Sequence, residues 1–388
     1  MSSITDADFE HTGPGRPAGY LLRQRWQPVY AAEELDAGRA VPLKVLHEEL
    51  TLYRGEDGAA HIVAGRCAHR GVLLSIGIVQ GDCVRCRYHG WQYDETGQCV
   101  DQPAEPKSFA DKVRIASYPV EEYFGFIWVY LGEAPVPELP RWPELEPYGR
   151  FHVIELRKWN YFHDLENTVD DVHQYWVHKT GIYQDDGMAG EFPEITAEPA
   201  EFGLTQTSRF TNGFVRRLAL LMPNTLYFNS GAGVLRGFKS FLWNVPVDDE
   251  SHMMFFLFIA AQLPPDVGAR VAAGVRDARK YLGELRPVDE IVRAVLSGTQ
   301  RFDDIEDRPD QVLIEDGIVL LGQGVLPDRS LNQLGSSDAA IVLLRKLYAR
   351  ELAAVEADRP LTKFPTPDAA ALARLDGRNP EASERPIQ

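Results

Sequence analysis

An α+β protein is the fold class the sequence predicts, with an all-β unit first and a larger unit on an antiparallel sheet behind it. Three observations carry this. Between Val41 and Gly132 the chain reads as short β-prone runs separated by tight turns. A proline-rich stretch follows, with Pro135, Pro137, Pro140, Pro143 and Pro147, as expected of a linker or a wrapping segment. Beyond it, strand-like runs and amphipathic helical patterns are mixed, as in an α+β unit. The expected parts are therefore a segment over residues 1–40 that packs on the larger unit, a β unit over 41–140, and the larger unit over 141–388.

Taken in order, Gly13, Pro14, Gly15 and Pro17 are expected to break any helix near the start. Gly13-x-Gly15 is read as a loop, since no strand precedes it and prolines interrupt it. Leu50–Arg54, the turn Gly55-Glu56-Asp57-Gly58 and Ala59–Val63 form a strand–turn–strand signal. Trp91–Tyr93 and Gln98–Val100 flank Asp94-Glu95-Thr96-Gly97 as a second hairpin, and Phe124–Leu131 is a strand rich in aromatic and β-branched residues. In the larger unit, Phe151–Leu156 predicts a strand and the region from Asp164 to Lys179 a helix. Strands are expected from about Ile195 to Leu263, with a hairpin turning at Asp248–Ser251. Pro265–Leu285 and Asp338–Val355 read as amphipathic helices, the second with Asp338 as N-cap.

Composition narrows the function. Four cysteines in 388 residues exclude a disulfide scaffold. The longest largely apolar stretch, Met253–Leu263, has 11 residues, too few to cross a bilayer. The acidic N-terminus shows no leader pattern, so a cytoplasmic chain without a membrane anchor is expected. With 40 Lys+Arg against 57 Asp+Glu the net charge is −17, which argues against nucleic-acid or anionic-membrane surfaces.

Two constellations carry chemistry. The first is Cys67-x-His69, then 16 intervening residues, then Cys86-x-x-His89. Each pair fits one tight loop, so two loops can clasp one centre. The ligand set allows a closed Cys2His2 zinc site or a Rieske [2Fe-2S] cluster, with two cysteines on one iron and two histidines on the other. A Rieske centre needs each loop to give one ligand to each iron, which the alternating order supplies. The flanks, Cys67-Ala68-His69-Arg70-Gly71 and Cys86-Arg87-Tyr88-His89-Gly90-Trp91, resemble Rieske proteins. The bridging cysteines of the respiratory kind are missing, so the pattern is similar to the oxygenase and ferredoxin kind. Cys83 and Cys99 are left over and are read as inert buried thiols.

The second constellation lies in Asp164–His178. His173 and His178 are five apart, about 140° on an ideal helix, so they share a face only if the helix is distorted or ends between them. Two histidines on one segment can supply two corners of a facial triad with a carboxylate, which leaves positions open for non-haem Fe(II) oxygen chemistry. Glu166-Asn167-x-x-Asp170-x-x-His173-x-x-x-x-His178 resembles the mononuclear-iron motif of the Rieske non-haem iron oxygenases. That resemblance implies a Rieske [2Fe-2S] domain followed by a helix-grip-like catalytic domain. It implies that His173 and His178 bind iron, and that Asp170 bridges the two metal centres between His89 and His173. Asn167 is read as supporting the iron ligands or as a helix-start amide. The third ligand is assigned to Asp316 within Leu313–Gly324, with Glu315 the runner-up and Asp310 a distant third. Asp171 departs from the family, where an aliphatic residue or proline is usual. Gly132, Trp243–Asp249 and Gly335–Asp338 are similar to the phthalate-dioxygenase-like branch.

The resemblance implies a terminal oxygenase acting with O2 on an aromatic acid or aryl ether. It also implies a ring of copies, usually a trimer, in which the cluster of one serves the iron of the next. No flavin or nicotinamide fingerprint is present, so electrons from NAD(P)H must come through a separate reductase, with or without a ferredoxin. Among Arg209, Arg216, Arg217 and Arg236, the favoured anchors for a substrate carboxylate are Arg216 and Arg217. Dioxygenation, monohydroxylation and O- or N-demethylation share the iron motif. Two other readings stay open on the residues alone: an electron carrier or redox sensor without catalytic iron, and a zinc-stabilised binding module.

Overall fold

The computed structural model describes residues 8–178, 192–211, 213–230, 238–261, 266, 267, 270, 271, 273, 274, 285–306 and 308–375. By its contacts the chain forms two units. The first is His11–Arg141 with Val245–Asp248; the second holds the described residues of Met1–Glu10, Trp142–Asn244 and Asp249–Gln388. No helix among the described residues is long and apolar enough to cross a membrane.

The first unit contains eleven short strands: β1 (Gln27–Ala31), β2 (Ala40–Val45), β3 (Glu48–Arg54), β4 (Ala60–Ala64), β5 (Ile78–Gln80), β6 (Cys83–Arg85), β7 (Gln92–Tyr93), β8 (Cys99–Asp101), β9 (Ser117–Tyr118), β10 (Val120–Tyr123) and β11 (Phe126–Val129). They form three sheets, ordered β1-β11-β10, β2-β3-β4-β9 and β5-β6-β7-β8. The predicted hairpins close as their turn residues require. The amide of Gly55 donates to Ala59 O at 3.0 Å, and Asp94 Oδ1 accepts from the amides of Thr96 and Gln98 at 2.9 Å each, an Asx turn.

Residues 11–40 differ from expectation, since they belong to the first unit. The cause is pairing: β1 lies antiparallel to β11, with Gln27 opposite Val129, and Arg23 donates to Leu46 O and to Glu48. Pro17, expected to break a helix, instead begins helix α1 (Pro17–Arg23) at its first position, where a missing N–H costs nothing. Val245–Asp248 joins this unit through the amides of Leu46 and His47, which donate to Pro246 O and Val247 O.

The second unit is built on one seven-stranded sheet: β12 (Arg150–Arg157), β13 (Glu194–Ala200), β14 (Gly203–Arg209), β15 (Val215–Leu221), β16 (Thr225–Ser230), β17 (Phe238–Pro246) and β18 (His252–Ile259), in the order β12-β18-β17-β16-β15-β14-β13. The registers of β12–β18 and of the run from β13 to β17 are antiparallel. The helix expected from Asp164 to Lys179 is two helices, α2 (Tyr161–Thr168) and α3 (His173–Val177), parted by Val169–Val172. Helices α4 (Val288–Leu296), α5 (Gln311–Gly322) and α6 (Ala339–Glu356) follow, then a short α7 (Ala369–Leu375). Asp338 stands at the cap position of α6, but its carboxylate turns back to accept from the Gly335 amide at 2.6 Å. Most of the expected helix Pro265–Leu285 lies outside the described residues.

Candidate metal centres

In the first unit, Cys67–Val72 and Cys86–Trp91 are two loops with one backbone design. The amide of Cys67 donates to Val72 O at 2.9 Å and that of Gly71 to Cys67 O at 2.9 Å. The amide of Cys86 donates to Trp91 O at 2.8 Å and that of Gly90 to Cys86 O at 3.0 Å. Both loops turn on a glycine at positive φ, +73° at Gly71 and +78° at Gly90. At Gly90 a Cβ would also meet Pro103 Cγ at 2.7 Å, so a larger residue is shut out twice over.

This design sets two buried sulfurs below two half-buried imidazoles. Cys67 and Cys86 are each 3% exposed. The rings of His69 and His89 lie 4.5 Å apart, and Trp91 stacks on His69 at 4.6 Å. His69 Nδ1 is buried with no hydrogen-bond partner among the described residues, as suits an atom meant for a metal. Tyr93, which the sequence did not single out, accepts the Ala68 amide at 3.1 Å and lies 3.3 Å from Cys67 Sγ. A hydroxyl donating to a ligand sulfur raises a cluster's potential. Of the leftover thiols, Cys99 is buried and Cys83 half-buried. The donor set fits a [2Fe-2S] cluster. A second group of candidate ligands lies in the second unit.

That group is His173, His178 and Asp316, whose ligand atoms lie within 4.8 Å of one another. The break between α2 and α3 makes it possible. Asp170 Oδ1 accepts from the amides of Val172 at 2.8 Å and His173 at 3.3 Å, capping the new helix. Helix α3 then ends at His178 (φ −102°, ψ 45°), so the two histidines escape the 140° separation of a continuous helix. Helix α5 supplies the carboxylate: Asp316 Oδ1 is 3.7 Å from His173 Nε2 and 3.3 Å from His178 Nε2. Asn167 donates to the same oxygen at 3.1 Å.

Glu315 takes a different place. Its Oε2 is 2.7 Å from His178 Nδ1, which keeps a proton on Nδ1 and makes Nε2, facing Asp316, the nitrogen that gives up its proton to a metal. Gln311 fixes the other Glu315 oxygen at 2.8 Å. Burial opposes charge on His178, but Asp316 and Glu315 outweigh it and lift its pKa to about 9 in the metal-free chain. Burial likewise opposes ionisation of Asp316, and His178 and His173 hold its carboxyl below the usual range. Burial pushes His173 down against the pull of Asp316 and Asp170. The pocket thus holds an ionised acid and asks for a cation, and these donors fit Fe(II).

Charged clamps hold the frame. Asp164 accepts twice from Arg157, at 2.8 and 2.9 Å, and lies 3.0 Å from His252 Nε2. Burial opposes its ionisation, yet Arg157 and His252 keep its carboxyl far below the usual range. Glu166 accepts from Arg329 at 2.7 Å and Arg345 at 2.6 Å. The remaining candidates fall elsewhere. Asp310 pairs with Arg308. Arg216, half-buried, pairs with the buried Asp171. Arg217, next along β15, projects from the opposite face. Arg209 is exposed, and Arg236 lies outside the described residues.

The family model described as Rieske [2Fe-2S] domain matches residues 25–119. The chain is 30% identical over 372 residues to the 5,5'-dehydrodivanillate O-demethylase oxygenase subunit of Sphingobium sp. (strain NBRC 103272 / SYK-6), covering 91% of this chain and 80% of that one. It is 31% identical over 387 residues to the 3-chlorobenzoate-3,4-dioxygenase oxygenase subunit of Comamonas testosteroni, covering 91% and 89%. Among solved structures, Pseudomonas putida CBB5 NdmA with caffeine superposes with a TM-score of 0.66 at 21% identity, covering 88% of this chain and 94% of that one.

Proposed function

The chain is a terminal oxygenase of the Rieske non-haem iron family, in its phthalate-dioxygenase-like branch, and from that premise we propose that it oxidises a small aromatic substrate at iron held by His173, His178 and Asp316. The observation that carries the reading is the convergence of those three side chains within 4.8 Å, with Glu315 behind His178. It also speaks against a pure electron carrier, which needs no such triad. Cys67, His69, Cys86 and His89 hold the cluster in this reading. Bound together, cluster and iron supply O2 activation and the electrons it needs.

The chain's own residues do the positioning. Glu315 keeps the His178 proton on Nδ1. Asn167 steadies Asp316 Oδ1 by donating to it. Asp170, whose Oδ2 lies 3.8 Å from His173 Nδ1, caps α3 with one oxygen and keeps the other for His173 and for His89 of a neighbouring copy. The proposal therefore includes a closed ring, a homotrimer in the cytoplasm, fed from NAD(P)H through a separate reductase with or without a ferredoxin.

Single turnover tests it. The reduced holoprotein is mixed with isotopically labelled O2 and a panel of aromatic acids, phenols and aryl ethers, and products are read by mass spectrometry. One or two labelled oxygens, or loss of a methyl group, is the expected result and sorts monooxygenase, dioxygenase and demethylase. A holoprotein with both metals present that oxidises no aromatic compound overturns the aromatic reading.

A further inference from the structure

Arg216, the sequence's favoured anchor for a substrate carboxylate, is already occupied. Its guanidinium donates to Asp171 Oδ1 and lies 5.3 Å over the Phe228 ring. Both partners are deep, with side chains 11% and 1% exposed. The two side chains form an ion pair by their contact. Asp171 lies two residues before His173, in the break that builds the triad.

The pair is incomplete. Asp171 Oδ2 is buried with no hydrogen-bond partner among the described residues. A second acceptor in the same condition lies on the same sheet face. Gln206 and Ser208 alternate with Arg216 across the β14–β15 ladder, Ser208 directly opposite Arg216. Gln206 Nε2 donates to Ser208 Oγ at 3.2 Å, and Gln206 Oε1 is buried without a donor among the described residues. Among the described residues, two buried acceptors lack donors, while the Arg216 guanidinium is paired with Asp171. Buried acceptors are costly until a donor arrives. A carboxylate arriving here would put two anions against one cation in a buried place. A neutral group with an O–H or N–H would complete the pair without adding charge.

We propose that Asp171 and Arg216 together form a specificity element that selects an aromatic substrate bearing a neutral hydrogen-bond donor, a phenolic hydroxyl or an amide N–H, over the matching carboxylate. This rests on the reading of the second unit as the oxygenase site and sharpens its substrate class. The donor bonds to Asp171 Oδ2, and Arg216 holds that carboxylate in place. Asp171 thus acts on substrate choice, while the ligands of the neighbouring triad are left as they are.

Equilibrium binding tests it without relying on turnover. Calorimetry on the anaerobic holoprotein compares methoxyarenes that carry, meta to the ether, a hydroxyl, a carboxamide, a carboxylate or a second methoxy group. The hydroxyl and carboxamide compounds are expected to bind at least about tenfold more tightly than the other two. In Asp171→Asn, which keeps the shape and removes the charge, the carboxylate is expected to gain at least about tenfold on the hydroxyl compound. A wild-type protein that prefers the carboxylate, or shows no preference across the four, overturns the proposal even if the variant does not fold. So does a wild-type ranking left unchanged in a folded Asp171→Asn. Oxidation of any of the four in single turnover keeps the oxygenase reading intact whichever way the ranking falls.

Discussion

Glu315 and Asp316 are neighbours with the same charge, yet the fold gives them opposite tasks. Asp316 faces both imidazoles, and Glu315 faces the back of one. Glu315→Gln removes the charged acceptor behind His178, so iron affinity is expected to fall about 10- to 100-fold, read by metal titration of the apoprotein. Asp316→Asn removes a proposed ligand instead and is expected to leave a preparation with cluster colour and little mononuclear iron. The metal-free pocket also predicts a pH dependence. Against burial, Asp316 and Glu315 raise His178 from 6.5 to about 9, so the folded chain holds that proton more firmly than the unfolded chain does. The stabilisation is full below pH 6.5 and is lost as pH rises through about 9, up to about 3 kcal/mol. Melts of the iron-free protein should fall across that window. Iron replaces the proton and should flatten it.

At the scale of elements, the site depends on a helix that stops and restarts. The sequence offers His173 and His178 as candidate ligands by motif, and their five-residue spacing already demands an interruption between them. It does not show where: α3 starts at His173, with Asp170 accepting from its first amides, and unwinds at His178, and neither an aspartate at a helix start nor a short helix is distinctive. The cluster loops were legible because both ligands and glycines are local. Tyr93, Glu315 behind His178, and the arginines on Glu166 were not, because each partner arrives from a distant part of the chain. Helix α5 was missed for another reason: it is apolar almost all round, without the one-sided stripe that marks a surface helix. Its Gly317 would set a Cβ 3.2 Å from Trp159, so the residue after Asp316 is small to let that ring approach. Glu166 pins α2 to Arg329 and to α6 through Arg345. Glu166→Gln leaves two buried guanidinium groups short of their shared anion and is expected to cost about 3 kcal/mol, read as a lower denaturation midpoint. Because α2 carries Asn167 and leads into the break, iron occupancy should fall with it.

For the whole molecule, the proposed ring makes a claim that one chain cannot satisfy. If Asp170 joins His173 of its own chain to His89 of the next, cluster and iron in one polypeptide are not working partners. Asp170→Asn should then retain both metals and lose most steady-state activity. Its cluster should still be reduced at the normal rate, because the proposed bridge acts only after the cluster has its electron. A stronger test mixes defects. Cys86→Ser removes the cluster and His173→Ala the iron ligand, and each homogeneous protein should be inactive. Co-expressed and assembled at random in a closed heterologous ring, roughly a quarter of the junctions pair an intact cluster with an intact iron in the next copy. Activity should therefore return to about that fraction of the wild-type rate. Transfer confined to one chain predicts none, since no polypeptide in the mixture carries both centres. The same samples report the assembly size by light scattering, so a mixed population of monomers that stays inactive would count against the ring, and a mixed ring that stays inactive would count against the path through Asp170.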